Sequence, residues 1–265
     1  MDLPEAILLA LVQAATEFLP VSSSGHLLLA QTWLGASEID LRFDVLLHLA
    51  TVFSVLVYFR KEVAALLRGC VGRGSGAAGP FAGSERRAVT LLVLANVPTA
   101  LLGWAIHHWF LDAVTRPRFV AAMLVVTGFV LYLGRGSSGR KSIESVGVAD
   151  ALLLGMAQGL AVLPGLSRSG TTIAVALLLG FERGLAARFS LLVSVPAVLG
   201  ATWLTWADAP AFVEIPWLPY VAGFWVAAVC GYAAVAAILR LVEQDRFHVF
   251  AYYLWPVGVV AFFSS

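Results

Sequence analysis

Ten apolar runs separated by short polar breaks make up most of this chain. They fall near residues 3–20, 25–34, 43–60, 88–111, 117–134, 148–163, 170–181, 186–207, 216–239 and 247–263. A helix that crosses a bilayer core of about 30 Å needs about 20 such residues. The runs 25–34 and 170–181 are too short: at about 1.5 Å per residue they reach only about 15–18 Å. Each follows a break rich in Pro, Ser and Gly: Leu19-Pro20-Val21-Ser22-Ser23-Ser24-Gly25 and Pro164-Gly165-Leu166-Ser167-Arg168-Ser169-Gly170. The pattern predicts that each short run is the second arm of a broken or re-entrant helix pair. Such backbone survives at membrane depth only when packed inside protein or lining a wet cavity. Pro98, Pro196 and Pro256 lie inside spans and are expected to mark kinks.

The pattern also repeats. At an offset of 145, Gln13 aligns with Gln158, Ser22 with Ser167, Ser24 with Ser169, and Gly25 with Gly170. Further on, Arg42-Phe43 aligns with Arg188-Phe189, and His48 with Ser194. The expected fold is an all-α polytopic membrane protein of two inverted-topology repeats, about 1–135 and 145–265, in one transmembrane domain. Each repeat is a broken re-entrant pair followed by three spans, so an odd number of crossings inverts the second repeat. Loop charge assigns the sides. The loop 60–87 carries Arg60, Lys61, Arg68, Arg73, Arg86 and Arg87 against Glu62 and Glu85, which predicts a cytoplasmic loop. The loops 134–147 and 240–246 then fall inside as well. The loop 208–216 falls outside with Asp208 and Glu214, as does 112–118, whose Arg116 and Arg118 fit less well. Trp109, Trp203, Trp206 and Trp217 form an outer aromatic belt, and both termini face outward. The first broken pair enters from outside and the second from the cytoplasm, so their Ser/Gly loops meet within the protein.

Composition supports the class. Among 265 residues, 60% are hydrophobic and 12% charged, against about 25% charged in a soluble domain; the mean hydropathy is +0.88. A soluble enzyme, a nucleic-acid binder and a disordered chain are excluded. The net charge of +1 gives no field for polyanions. Cys70 in a basic loop and Cys230 in an apolar run are not expected to pair. The N-terminal run carries Asp2 and Glu5 without a basic n-region and reads as mature structure rather than a signal peptide.

Two constellations carry chemistry. Gln13 and Glu17 lie at i,i+4 on one helix face, and Ser22-Ser23-Ser24-Gly25-His26 follows within ten residues. The serines suit the cap of the next helix, whose free N–H groups and dipole favour a phosphate. A carboxylate, hydroxyls and an imidazole are the parts of a metal ligand or base, a nucleophile, and an acid or base. The bland reading makes the serines a plain cap and Glu17 an interfacial residue. The second constellation is Ser167-Arg168-Ser169-Gly170-Thr171-Thr172, another capped helix start that adds a guanidinium. An intramembrane Arg needs an anionic partner, and a phosphate offers bidentate geometry. A structural pair with Glu17 is the alternative, and both hold if substrate or metal sits between them. Glu17 beside such a site suits a divalent cation bridging to phosphate oxygens, which points to phosphoryl transfer. The segment Gly165-x4-Gly170-Thr171-Thr172 lacks the lysine and preceding strand of a P-loop. His48 reads as an interior hydrogen-bonded histidine, Asp44, Asn96 and Gln158 as supporting or helix-packing groups, and His107 and His108 as interfacial.

The two motifs, Glu17-Phe18-Leu19-Pro20-Val21-Ser22-Ser23-Ser24-Gly25-His26 and Pro164-Gly165-Leu166-Ser167-Arg168-Ser169-Gly170-Thr171-Thr172, resemble the signatures of the undecaprenyl-diphosphate phosphatase family, the integral-membrane enzymes that confer bacitracin resistance. The resemblance extends over the whole chain. It implies hydrolysis of undecaprenyl diphosphate to the monophosphate and inorganic phosphate, which recycles the lipid carrier of peptidoglycan synthesis in the bacterial inner membrane. It further implies a need for Mg²⁺ or Ca²⁺, with Glu17 and Gln13 matching the family's metal-holding acidic motif. Gln13 stands where many members have Glu, which weakens a two-carboxylate metal site. The resemblance places Ser23, His26 and Arg168 in catalysis beside Glu17, with Ser22, Ser24, Gly25, Ser167, Ser169, Gly170, Thr171 and Thr172 around the substrate. Ser23, activated by His26, is the first choice of nucleophile, with His26 itself or water as the others. The partners expected are the polyprenyl-diphosphate lipid and membrane lipid, no nucleic acid, with a homodimer allowed; the site is expected to open to the extracytoplasmic side.

Two rivals use the same residues. An inverted-repeat transporter or lipid flippase would bind the anion without cleaving it. The other large membrane phosphatase superfamily, with KxxxxxxRP, PSGH and SRxxxxxHxxxD, fails at three places: Gly69 follows Arg68, the PSGH proline is missing, and Ala174 stands where its His belongs.

Overall fold

The computed structural model describes residues 1–27, 41–71, 79–110, 114, 116–137, 139–208 and 216–264, with backbone alone at 41 and 206–208. The greater part of the short run 25–34 lies outside these residues, as do Arg73 and Glu214 and the side chains of Trp206 and Asp208. The described chain is helical. In order the helices are α1 (Leu3–Phe18), α2 (Leu41–Tyr58), α3 (Arg60–Cys70), α4 (Glu85–Trp109), α5 (Pro117–Leu133), α6 (Val148–Leu160), α7 (Arg168–Leu178), α8 (Arg183–Asp208), α9 (Trp217–Glu243) and α10 (Ala251–Ser264), the last entered through a tight turn at Phe247–Phe250. A helical turn also spans 23–27. Among the described residues, four helical stretches are long and apolar enough to cross a membrane, starting at Glu85, Arg183, Trp217 and Phe247. The α2–α3 pair makes a fifth, bent by 79°. The chain is an all-α, multi-pass membrane protein.

Local chemistry sets the boundaries. Asp2 and Glu5 form a reciprocal capping box at the start of α1, with Glu5 N–H donating to Asp2 Oδ1 at 2.9 Å. α1 stops at Leu19, whose extended backbone is the conformation that the following Pro20 imposes. α6 and α7 hold 13 and 11 residues, about 20 and 17 Å of helix, so neither spans alone and the break at 161–167 is real. Gly165 turns that break with φ of +92°, and a Cβ there would sit 2.2 Å from the carbonyl oxygen of Val120. Glycine is required on both counts. Thr127 of α5 holds the break from below: its hydroxyl donates to Gly165 O at 2.9 Å and accepts from Ser167 N–H at 3.0 Å. Exposed backbone groups inside the protein are thereby satisfied.

Helix pairing is exchanged between the halves. α1 packs on α9, and its counterpart α6 packs on α4. α5 and α10 pack on each other, as do α2 and α8. Gly155 and Gly159 let α6 approach α4 so closely that a Cβ at Gly155 would lie 1.9 Å from Ala95 O. Pro98, Pro196 and Pro256 lie within α4, α8 and α10, which continue through them.

The segment 60–87, expected as one basic loop, is corrected by the structure. Residues 60–70 form α3, and α4 begins at Glu85. The turn expected at 240–246 is shortened, because α9 runs to Glu243.

Candidate active site

The two Ser/Gly breaks meet at one cavity of about 350 Å³. Glu17 on the last turn of α1 stands at its floor, with its side chain 3% exposed. One carboxylate oxygen, Oε1, pairs with Nη2 of Arg168, the first residue of α7. The other, Oε2, accepts from Ser23 Oγ at 2.7 Å and from Gln13 Nε2 at 3.1 Å. His48 Nε2 lies 3.8 Å from the same oxygen. Four residues, one each from α1, the turn at 23–27, α2 and α7, therefore converge on one buried carboxylate. Removing one partner from such a pair costs about 3–5 kcal/mol, because the remaining charge stays buried.

The serines build the frame. Ser22 and Ser24 hydroxyls stand 3.3 Å apart, as do those of Ser167 and Ser169. Ser22 Oγ accepts from Gly25 N–H at 3.5 Å and Ser167 Oγ from Gly170 N–H at 3.2 Å, so each caps its helix start. Ser24 Oγ reaches across to accept from Gly165 N–H at 3.4 Å, joining the two breaks. Ser22, Ser23, Ser24, Ser167 and Arg168 all line the cavity.

Other expected residues stand behind the wall rather than in it. Gly25 and Gly170 are packing positions: a Cβ would lie 3.2 Å from Leu124 at the first, and 2.9 Å from both Leu131 and Pro20 at the second. Thr172 donates to Arg168 O at 2.9 Å. Among the described residues, Thr171 Oγ1 is buried without a partner, and so is Oε1 of Gln13, which is buried behind Glu17. His26 is turned away from the cavity. Its Nδ1 donates to Ser22 O at 2.9 Å, and its Nε2 meets Tyr253 OH of α10 at 2.8 Å, with the two rings stacked at 5.7 Å. Ser23 thus has Glu17, not His26, as its hydrogen-bond partner.

The structure brings to the cavity residues that the sequence gave a supporting role, and Thr99, to which it gave none. His48, Asp44, Thr99 and Gln158 line the cavity. His48 Nδ1 donates to Asp44 O at 2.9 Å, since a carbonyl only accepts, and this aims Nε2 at Glu17. Gln158 Nε2 donates to Thr99 Oγ1 at 3.2 Å and Val193 O at 3.3 Å, while its Oε1 is buried without a partner. The Asp44-x3-His48 spacing puts both on one helix face, a signal that was present in the sequence. Thr16, Thr202 and Thr205 complete the polar lining, and Val162, Ala197, Val198 and Ala201 give it an apolar side.

The oxygens present fit a hard divalent cation. At the cavity the Glu17 carboxylate and the Ser23 hydroxyl are hard donors, and the amide oxygen of Gln13, without a partner among the described residues, stands behind them. Among the described residues, no group of three or more His, Cys, Asp or Glu side chains could hold an ion alone. Substrate phosphate oxygens would supply the remaining ligands.

Comparison with known proteins covers nearly the whole chain. The profile of the family described as bacitracin resistance protein BacA matches residues 6–260. The undecaprenyl-diphosphatase of Carboxydothermus hydrogenoformans is 40% identical over 264 residues, 96% of this chain and 94% of the relative. That of Syntrophotalea carbinolica is 41% identical over 269 residues, covering 100% of both. That of Desulfosudis oleivorans is 41% identical over 273 residues, covering 98% and 97%.

Proposed function

This chain belongs to the family described as bacitracin resistance protein BacA, and from that membership we propose that it hydrolyses undecaprenyl diphosphate to undecaprenyl phosphate and inorganic phosphate. It is a membrane phosphatase, and the transporter or flippase reading is not favoured. The observation that carries the site is the short bridge from Ser23 Oγ to Glu17 Oε2, on a carboxylate that also meets Arg168.

Arg168, with the N–H groups at the start of α7, holds the diphosphate by charge-assisted hydrogen bonds. Ser23 Oγ attacks the terminal phosphorus as its proton passes to Glu17. The Oγ–P bond forms, the bond from phosphorus to the bridging oxygen breaks, and undecaprenyl phosphate leaves. Water then cleaves the phosphoserine and frees inorganic phosphate. A divalent cation held by Glu17 and Gln13 would neutralise charge developing on the phosphate oxygens. Little covalent machinery is needed beyond this, because phosphoryl transfer is catalysed mainly by positioning and charge. His48, held by the Asp44 carbonyl, stands 3.8 Å from the oxygen that Ser23 meets and adds to the field on the carboxylate. The apolar side at Val162, Ala197, Val198 and Ala201 suits the first units of a polyprenyl chain.

The loop charges and the family support a bacterial inner-membrane location with the cavity opening to the extracytoplasmic side. Labelling of engineered cysteines by an impermeant thiol reagent from one side tests the sidedness.

The decisive experiment is phosphate release from undecaprenyl diphosphate by purified protein with Mg²⁺, with Ca²⁺ and with chelator, beside Glu17→Gln. Release that requires metal and collapses in the variant is the expected result. Tight lipid binding without release would return the chain to the transport reading.

A further inference from the structure

α3 is a basic element that the cavity does not use. It leaves α2 at 79°. α2 is apolar along its length and α3 is charged and amphipathic, so the bend sets α3 across the direction of α2. Its inner face buries Ala65 and Leu66, and it packs on α4. Arg86 of α4 fastens its far end, donating from Nε to Gly69 O at 3.0 Å.

The outer face combines two kinds of side chain. Leu67 is 65% exposed and Val71, just past the helix end, 70%. Arg60, Lys61 and Arg68 are exposed on the same side. Among the described residues, Arg60 and Arg68 donate only to carbonyls of their own helical turns, Val57 O and Ala64 O, both at 3.1 Å. The nearby Glu62 is taken by Arg188 at 3.4 Å. Among the described residues, none of Arg60, Lys61 and Arg68 forms an ion pair. A surface helix with bare cations beside bare aliphatic side chains is complementary to a phospholipid headgroup layer: the aliphatic groups enter the acyl boundary and the cations reach the phosphates.

We propose that this face of α3 binds the phosphate headgroups of anionic phospholipids in the bilayer that the protein spans. The occupant is set by charge complementarity, since three unpaired cations face outward and no described carboxylate answers them. The surface is separate from the cavity and independent of the hydrolytic reaction.

Cys70, exposed at the end of α3, gives a direct probe. In the full chain carrying Cys230→Ser, Cys70 is labelled with a fluorophore and the protein is reconstituted in mixed phosphatidylcholine–phosphatidylglycerol bilayers. A headgroup quencher is carried on one lipid or the other. The expected result is several-fold stronger quenching from phosphatidylglycerol, since each surface cation contributes roughly a fivefold preference. That difference shrinks as salt is raised. Arg60→Gln, Lys61→Gln and Arg68→Gln together should abolish it, while retained phosphate release shows that the variant is folded. Equal quenching from the two lipids, no quenching from either, or a difference that survives in the triple variant would each overturn the proposal.

Discussion

The turns at 22–25 and 167–170 are built alike and act differently. Each opens on a capping serine, each joins its two outer serines at 3.3 Å, and each ends on a glycine pressed against neighbouring side chains. The residue between the serines differs: Ser23 in one, Arg168 in the other. Both middle residues reach the same carboxylate from opposite sides, Ser23 to Oε2 and Arg168 to Oε1 of Glu17. The carboxylate itself exists once. The residue 145 places after Glu17 is Val162, which lines the same cavity without charge. Two like scaffolds thus supply a hydroxyl and a carboxylate from one side and a cation from the other. The frame is duplicated, and the chemistry is divided between the copies.

The division is tested most severely at Ser23. Ser23→Ala should reduce phosphate release by about 10⁴-fold or more, the scale on which removal of a nucleophile acts. Activity near the parent level would show that water attacks directly and that the two turns both serve only as binding frames. Arg168→Ala should cost about 10²–10³-fold, as the loss of a preorganised charge does. Arg168→Lys should recover only part of this, because an ammonium lacks the planar fork. Steady-state phosphate assays on variants that elute as the parent does on size exclusion measure both.

Gln13→Glu sharpens the asymmetry by giving the first half a second carboxylate. The Mg²⁺ concentration for half-maximal activity should fall by about tenfold, since affinity for hard cations rises with ligand charge. The smallest effects probe the frames themselves. Ser167→Ala removes a cap and should lower stability by about 1 kcal/mol. Ser22 adopts φ of +72°, a left-handed conformation unfavourable for any residue with a Cβ. Ser22→Gly therefore offsets a lost cap with relieved strain and should stay within about 0.5 kcal/mol of the parent. Thermal unfolding in detergent compares the two.

The span pattern was legible because apolar runs and Pro/Gly breaks are local signals. The run 148–163 became α6 at 148–160, and 117–134 became α5 at 117–133. α3 was not legible as a helix, since its charges lowered its hydropathy and its amphipathic period is short. The chemical residues Glu17, Ser23 and Arg168 stood out as polar groups in apolar surroundings. What the sequence could not give was direction. The left-handed turn at Ser22 presents its carbonyl to His26, and Tyr253, 227 residues away, takes the other ring nitrogen. His48 was passed over because its approach to Glu17 depends on the packing of α2 in three dimensions, whereas one i,i+4 pair with Asp44 was all that the sequence displayed.

The exchanged pairing of helices has a consequence for how the protein is made. α1 leaves the ribosome before α9, its packing partner, which begins at Trp217, and before its counter-charge Arg168. At about 5–20 residues per second, α1 waits about 10–40 s for α9 to be synthesised. Until residue 168 has been made Glu17 lacks its arginine, and until α9 follows α1 has α2 as its neighbour but not its main packing partner. The first helix of each half packs on a helix of the other, so the packing of the first half is completed only once α9 has been made.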